Sequence, residues 1–143
     1  MNRQKIDEMI IKAMEIIASN EVEILEQNKV PSQYIGYIAS FGPSVVQTGL
    51  IQTVAFYSKN DEQNPRKSNE EKSRKKILDL MEKTLVATHR MPSSENNLLH
   101  YLNTQWKQNL NNFNQRIQLK NIVMEACTAC KLALRTFEIK KEK

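Results

Sequence analysis

Apolar positions recur along the chain at steps of three and four residues, the spacing that lines one face of an α-helix. Ile6, Met9, Ile10, Ala13, Ile16 and Ile17 follow it first. They predict a helix over residues 3–28, kinked or divided at Ser19-Asn20 before Val22 and Leu25 resume the pattern. Lys29-Val30-Pro31-Ser32 reads as a turn, with Pro31 placed to open the next helix, where its missing N–H costs nothing. A short helix over 31–41 presents Tyr34, Ile35, Ile38 and Phe41. Gly42-Pro43 separates it from a central helix over 43–58 that carries Val46, Leu50, Val54 and Tyr57, flanked by Val45, Ile51, Ala55 and Phe56. Residues 30–58 hold no Asp, Glu, Lys, Arg or His. This helix pair is therefore expected to be packed on several sides and to anchor the fold. Gly49 falls in mid-helix on this reading, at a cost of about 1 kcal/mol against alanine. The close approach of another helix is its expected compensation.

The second half is more polar. Residues 59–67 form a charged connector, and Ser68-Asn69-Glu70-Glu71 has the spacing of a capping box that opens a helix over 68–89. Ile77, Leu78, Met81 and Leu85 make its apolar face. Arg90-Met91-Pro92-Ser93 breaks the chain, and a fifth helix from residue 94 carries Leu98, Leu99, Leu102 and Trp106. Asn109-Leu110-Asn111-Asn112 weakens helical propensity and marks another break. The last helix, over 113–140, places Leu119, Ile122, Val123, Ala126, Cys130, Ala133 and Phe137 on one side. No strictly alternating run and no internal repeat is visible. The expectation is all-α: one domain over 1–143, a bundle of about six helices around the uncharged pair.

Charge changes the picture by its distribution. The chain carries a net +5. Residues 1–60 contribute five basic and six acidic side chains, whereas residues 61–143 contribute sixteen and ten. A face for a polyanion should therefore be built from the second part. Acids at the N-terminus exclude a signal-peptide pattern there, and Pro31, Gly42, Pro43, Gln47 and Gln52 interrupt the uncharged window before it reaches a membrane-spanning length. A soluble, cytoplasmic protein without membrane contact is expected.

Candidate chemistry is sparse. Cys127 and Cys130 have C-x-x-C spacing but no second pair, and on a continuous helix they read as small core residues. His89 and His100 sit in no catalytic or metal-binding frame, and Gly36, Gly42 and Gly49 are too far apart for a phosphate loop. Acids fall as i, i+4 partners of lysine, as in Glu71–Lys75 and Asp79–Lys83. Neither an enzyme nor a metal or cofactor is expected. What remains is basic surface. At 100° per residue Arg116, Lys120, Lys131 and Arg135 form a stripe opposite the apolar seam of the last helix, long enough to follow several phosphates. Together with Arg66, Lys67, Arg74 and Lys75 they are the candidate RNA-binding residues. Tyr101, Trp106 and Phe113 have the chemistry to stack on bases, but at helical spacing they are assigned to packing.

A tight turn followed by Gly49-Leu50-Ile51-Gln52-Thr53-Val54-Ala55-Phe56-Tyr57 resembles the signature of the small helical subunit of the type III-B CRISPR (Cmr) effector complex. Helix order and length extend the likeness over the whole chain. The resemblance implies a non-catalytic ribonucleoprotein subunit in antiviral defence. Several copies would stack along the backbone subunits that carry the CRISPR RNA, near the large subunit, and help hold the guide–target RNA while other subunits cut and signal. The matched block is a core motif, so the RNA-binding set above is inferred from charge alone. The rival readings are a type III-A small subunit, an interaction module whose basic face meets an acidic protein, and an enzyme built on a helical bundle.

Overall fold

The computed structural model describes residues 3–59, 65–92 and 97–141, with the side chains of 65–68 outside that description. Six helices and one short pair of strands follow in order: α1 (Arg3–Ser19), β1 (Val30–Pro31), α2 (Ser32–Thr48), α3 (Leu50–Ser58), α4 (Pro65–Ala87), α5 (Leu98–Gln108), α6 (Phe113–Arg135) and β2 (Ile139–Lys140). The all-α expectation holds, and the differences lie at the element boundaries.

The first helix ends sooner than its apolar pattern. Asn20 turns left-handed at φ 60°, which stops α1, and its side-chain oxygen accepts a hydrogen bond from Leu25 N at 3.0 Å. Asn tolerates that conformation because its short polar side chain bonds locally. Val22 and Ile24 still reach the core, from an irregular segment that ends in a tight turn. In that turn Glu26 and Lys29 exchange both backbone hydrogen bonds, while Gln27 and Asn28 take φ values of 54° and 63°. Two central residues of positive φ are what a two-residue hairpin turn of the primed type requires.

The break expected at Gly42-Pro43 is not there. α2 runs through Pro43 and ends at Gly49, so the central helix over 43–58 is instead the end of α2 plus α3. Pro43 removes one donor but its ring is tolerated; Ala39 O loses its partner four residues on. Gly49 has φ 102°, and no heavy atom lies within 4 Å of where its Cβ would be. It is therefore a hinge of backbone conformation and not a site of close helix approach. The junction is fastened by hydroxyls: Ser44 and Thr53 lie 3.0 Å apart, and Thr48 donates to Ser44 O at 2.8 Å. Moving the break moves the apolar face. Val45 is buried in place of Val46, which is 72% exposed, and Phe56 also faces outward.

α4 begins at Pro65, a residue suited to the first turn, so the helix opens before Ser68, whose side chain lies outside the described ones. Glu71 is buried, and Lys83 lies 3.9 Å from Glu21 while its charge also acts on Asp79. The expected start of the fifth helix at residue 94 lies outside the described residues. α5 opens at Leu98, where Asn97 caps the amides of Leu99 and His100 at 2.9 and 3.3 Å. Asn109 closes α5, its Nδ2 donating to Gln105 O at 2.8 Å, and Asn112 caps α6 through Gln115 N at 3.2 Å, so the predicted break falls where these two caps make it. α6 ends at Arg135 and does not reach residue 140. The chain then leaves as β2, which pairs in parallel with β1 in the register Val30↔Ile139 and Pro31↔Lys140.

One core joins all six helices. α1 lays Met9, Ala13 and Ile17 against α6, whose Ala126, Ala129, Cys130 and Ala133 are buried and small enough to let it approach. α4 inserts Ile77, Leu80, Met81 and Leu85 from the other side. Two hydroxyls inside this core find partners. Tyr57 donates its hydroxyl to Tyr37 O at 2.6 Å, and Thr84 donates to Leu80 O at 2.8 Å while touching Cys130 Sγ at 3.5 Å. Both cysteines are free and buried, and burial pushes their thiols up to about 11 for Cys127 and about 12 for Cys130. Thiols so unwilling to ionise pack as small apolar groups.

Candidate nucleic-acid interface

The basic residues singled out from the sequence come from two helices. Arg66 and Lys67 lie in the first turn of α4, and their side chains are outside the described ones. Arg74 is held inward: its side chain is 14% exposed and lies 4.0 Å from Glu70. Its guanidinium stands 4.5 Å over the Phe56 ring and 6.0 Å from that of Tyr37. A guanidinium on an aromatic face is attracted by the ring quadrupole, and this one also covers the outward ring of α3. Its Nε is buried without a hydrogen-bond partner. Burial first, and the neighbouring Cys127, push the Tyr57 hydroxyl up to about 12 against the opposing charge of Arg74. Lys75, the next residue, is exposed.

α6 carries the other four. Arg116 repeats the arrangement of Arg74, with its guanidinium 4.8 Å over Trp106 of α5 and a buried, unpartnered Nε. Lys120 and Arg135 are exposed, whereas Lys131 is half-buried beside Cys127, whose thiol it pulls back down. Arg135 also complements the helix C-terminus. The stripe does not lie opposite the apolar seam as the angles predicted. Cys127 and Leu134 are buried as well, which widens the packed face until Arg116 stands above Leu134, five helical turns away at the same angle. The four cations flank the core contact, two of them in solvent.

The aromatic assignment divides. Tyr101 and Trp106 are half-buried against the core, as expected of packing residues. Phe113, the first residue of α6, is 74% exposed, with Leu110 and Ile117 exposed beside it. Sequence alone could not place it, because the first turn of a helix that follows a tight break has no facing neighbour. Lys107, in the last turn of α5, is exposed and was also passed over.

A different surface lies between α1 and α4. A cleft of about 770 Å³ is lined by Lys12, Glu15, Glu21, Asp79, Glu82 and Lys83, among others. Burial, and then the charge of Asp79, push the Glu82 carboxyl up to about 7, with Lys83 and Lys75 pulling the other way. Asp79 is raised for the same first reason. The signal for this pair was its place on the α4 flank beside the apolar positions. Among the described residues no group of three His, Cys, Asp or Glu side chains is arranged to hold a metal, and no helix is long and apolar enough to cross a membrane.

No curated protein and no solved structure matches the chain. A family comparison does: residues 11–123 match the family described as CRISPR-associated protein (Cas_Cmr5). That span runs from α1 to the middle of α6 and contains the Gly49 junction, the cleft and both arginine–aromatic pairs. An all-helical bundle with this match over most of its length belongs to the Cas_Cmr5 family, the small subunits of the type III-B CRISPR complex.

Proposed function

We propose that the chain is a non-catalytic, cytoplasmic subunit that stacks in several copies along the backbone subunits of the Cmr assembly, near the large subunit, and helps hold the guide–target RNA. The observation that carries this reading is the pair of solvent-facing cations on α6, Lys120 and Arg135, on the half of the chain that holds the whole positive excess. From Arg116 to Arg135 the helix rises by about 28 Å, enough to pass several phosphates. Lysine and arginine there neutralise phosphates and release counterions, which favours RNA of any sequence. Base pairing with the guide selects the target. Arg116 stays on its ring beside this surface and Lys131 adds charge on the same helix, while Arg66, Lys67, Arg74 and Lys75 belong to the same positively charged half of the chain.

The test is the double variant Lys120→Ala, Arg135→Ala in the assembled complex. RNA affinity should fall by a similar factor for unrelated sequences, and the salt dependence should become shallower by about one to two units of slope. The melting temperature of the subunit should stay where it is, because both side chains are exposed. Unchanged affinity at low salt would overturn the reading and leave the basic face to an acidic protein partner.

A further inference from the structure

The α5–α6 turn combines features that the phosphate-holding reading does not use. Phe113 presents most of its ring to solvent at the start of α6. Ile117 follows one turn later on the same face, and Leu110 precedes it in the turn. Arg116, seated on Trp106, and the exposed Lys107 and Lys120 flank this apolar spot along the chain and bring it positive charge. Between Glu95 and Glu125 the sequence has no Asp or Glu, although acids make up 16 of its 143 residues. The exposed side chains of that interval are instead rich in amides, among them Gln108, Asn111, Asn114, Gln118 and Asn121.

We propose that Phe113 is a stacking platform for an unpaired RNA base, held by the cations and amides of the α5–α6 turn. The inference rests on the RNA-holding reading above and adds to it a contact that only bases left unpaired in the held RNA can make. An exposed aromatic offers every base a face, so stacking is tolerant of sequence. Cations at Arg116 and Lys120 stand one turn apart on α6, where they meet the phosphates that flank a stacked base. Side-chain amides supply both donors and acceptors to base edges and sugars without repelling phosphate. The absence of acids suits a polyanion, because no carboxylate in this stretch of chain repels the phosphates that would flank a stacked base.

Trp106 is the only tryptophan of the chain and lies under Arg116, so its fluorescence reports on this turn. With the full-length chain, a short single-stranded RNA should change that fluorescence, and an RNA duplex of equal length should do so far less. Phe113→Ala should weaken single-stranded binding about 5- to 150-fold, the loss of one stacked base. Phe113→Tyr should restore it and Phe113→Leu should not, since leucine keeps the apolar area without the flat ring. The melting temperatures of these variants should match the parent, because the ring is exposed. If Phe113→Ala binds single strands as the parent does while Lys120→Ala, Arg135→Ala does not, stacking is wrong and the phosphate reading stands. If Phe113→Leu behaves like the parent, or Phe113→Ala keeps its RNA affinity but no longer joins the assembled complex, the patch is a protein contact and the proposal falls. If neither the Phe113 variants nor the double lysine–arginine variant changes RNA binding, both readings fall together.

Discussion

Gly49 and Gly36 separate two reasons for a glycine within one element of structure. At Gly49 the backbone has φ 102°, a conformation that L side chains rarely adopt, and empty space surrounds the missing Cβ. Alanine there should cost about 1–3 kcal/mol from backbone strain alone. At Gly36, inside α2, a Cβ would also meet nothing within 4 Å, but the backbone is helical. Alanine there should add up to about 1 kcal/mol by removing freedom from the unfolded chain. Thermal melts of the two single variants should therefore shift in opposite directions. A Gly49→Ala protein as stable as its parent would contradict the strain account. The sequence signalled an exceptional position at Gly49 but not which kind, because mid-helix packing and a change of φ call for the same residue. Arg74 and Arg116 were ambiguous in the same way. Their charge was plain, whereas the rings that hold them come from α3 and α5, distant in sequence.

At the scale of elements, the pairing of α1 with α4 creates a cleft whose effect depends on pH. The Glu82 carboxyl, pushed up to about 7 from 4.5, holds its proton more tightly in the folded chain than in the unfolded one. Folding therefore takes up a proton between about pH 4.5 and 7, and stability falls as pH climbs through that window. Asp79 raises it further, Lys75 and Lys83 oppose the shift, and Lys12, Glu15 and Glu21 face the same cleft. Glu82→Gln removes the ionisation while keeping the shape. Its melting temperature should exceed that of the parent at pH 8, and the gap should narrow at pH 5. A gap that stays constant with pH would show that Glu82 titrates normally. The existence and order of α1, α4, α5 and α6 were legible, since each has apolar residues at helical spacing between strong breaks. Their ends were less so. The pattern of α1 runs on through Val22 because that residue is buried too, only from a loop.

Over the whole molecule, the cationic margin of α6 follows the uneven charge of the two halves, which was visible in composition, whereas the cleft of α1 and α4 draws its acids from both halves and was not. Nor was the closure of the chain. Two strands of two residues each have no pattern to read, and their pairing joins positions more than a hundred residues apart. Val30 is fully buried there and donates its N–H to Glu138 O at 2.8 Å. Phe137 and Ile139 pack against the core from the far side of the same contact. Lys29–Glu138 at 3.4 Å and Lys140–Glu26 at 3.2 Å span its exposed edge. Exposed ion pairs contribute at most about 1 kcal/mol each, so the apolar packing and the backbone bond should dominate. Removing residues 137–143 should cost about 2–3 kcal/mol. It should also speed hydrogen exchange selectively in the segment 22–30, most of all at the Val30 amide, which loses its partner at Glu138 O. Lys29→Ala with Lys140→Ala should leave both quantities close to the parent. If the truncated chain melts at the parental temperature with unchanged exchange in 22–30, the strand pair closes nothing, and the loop after α1 is held by Val22 and Ile24 alone.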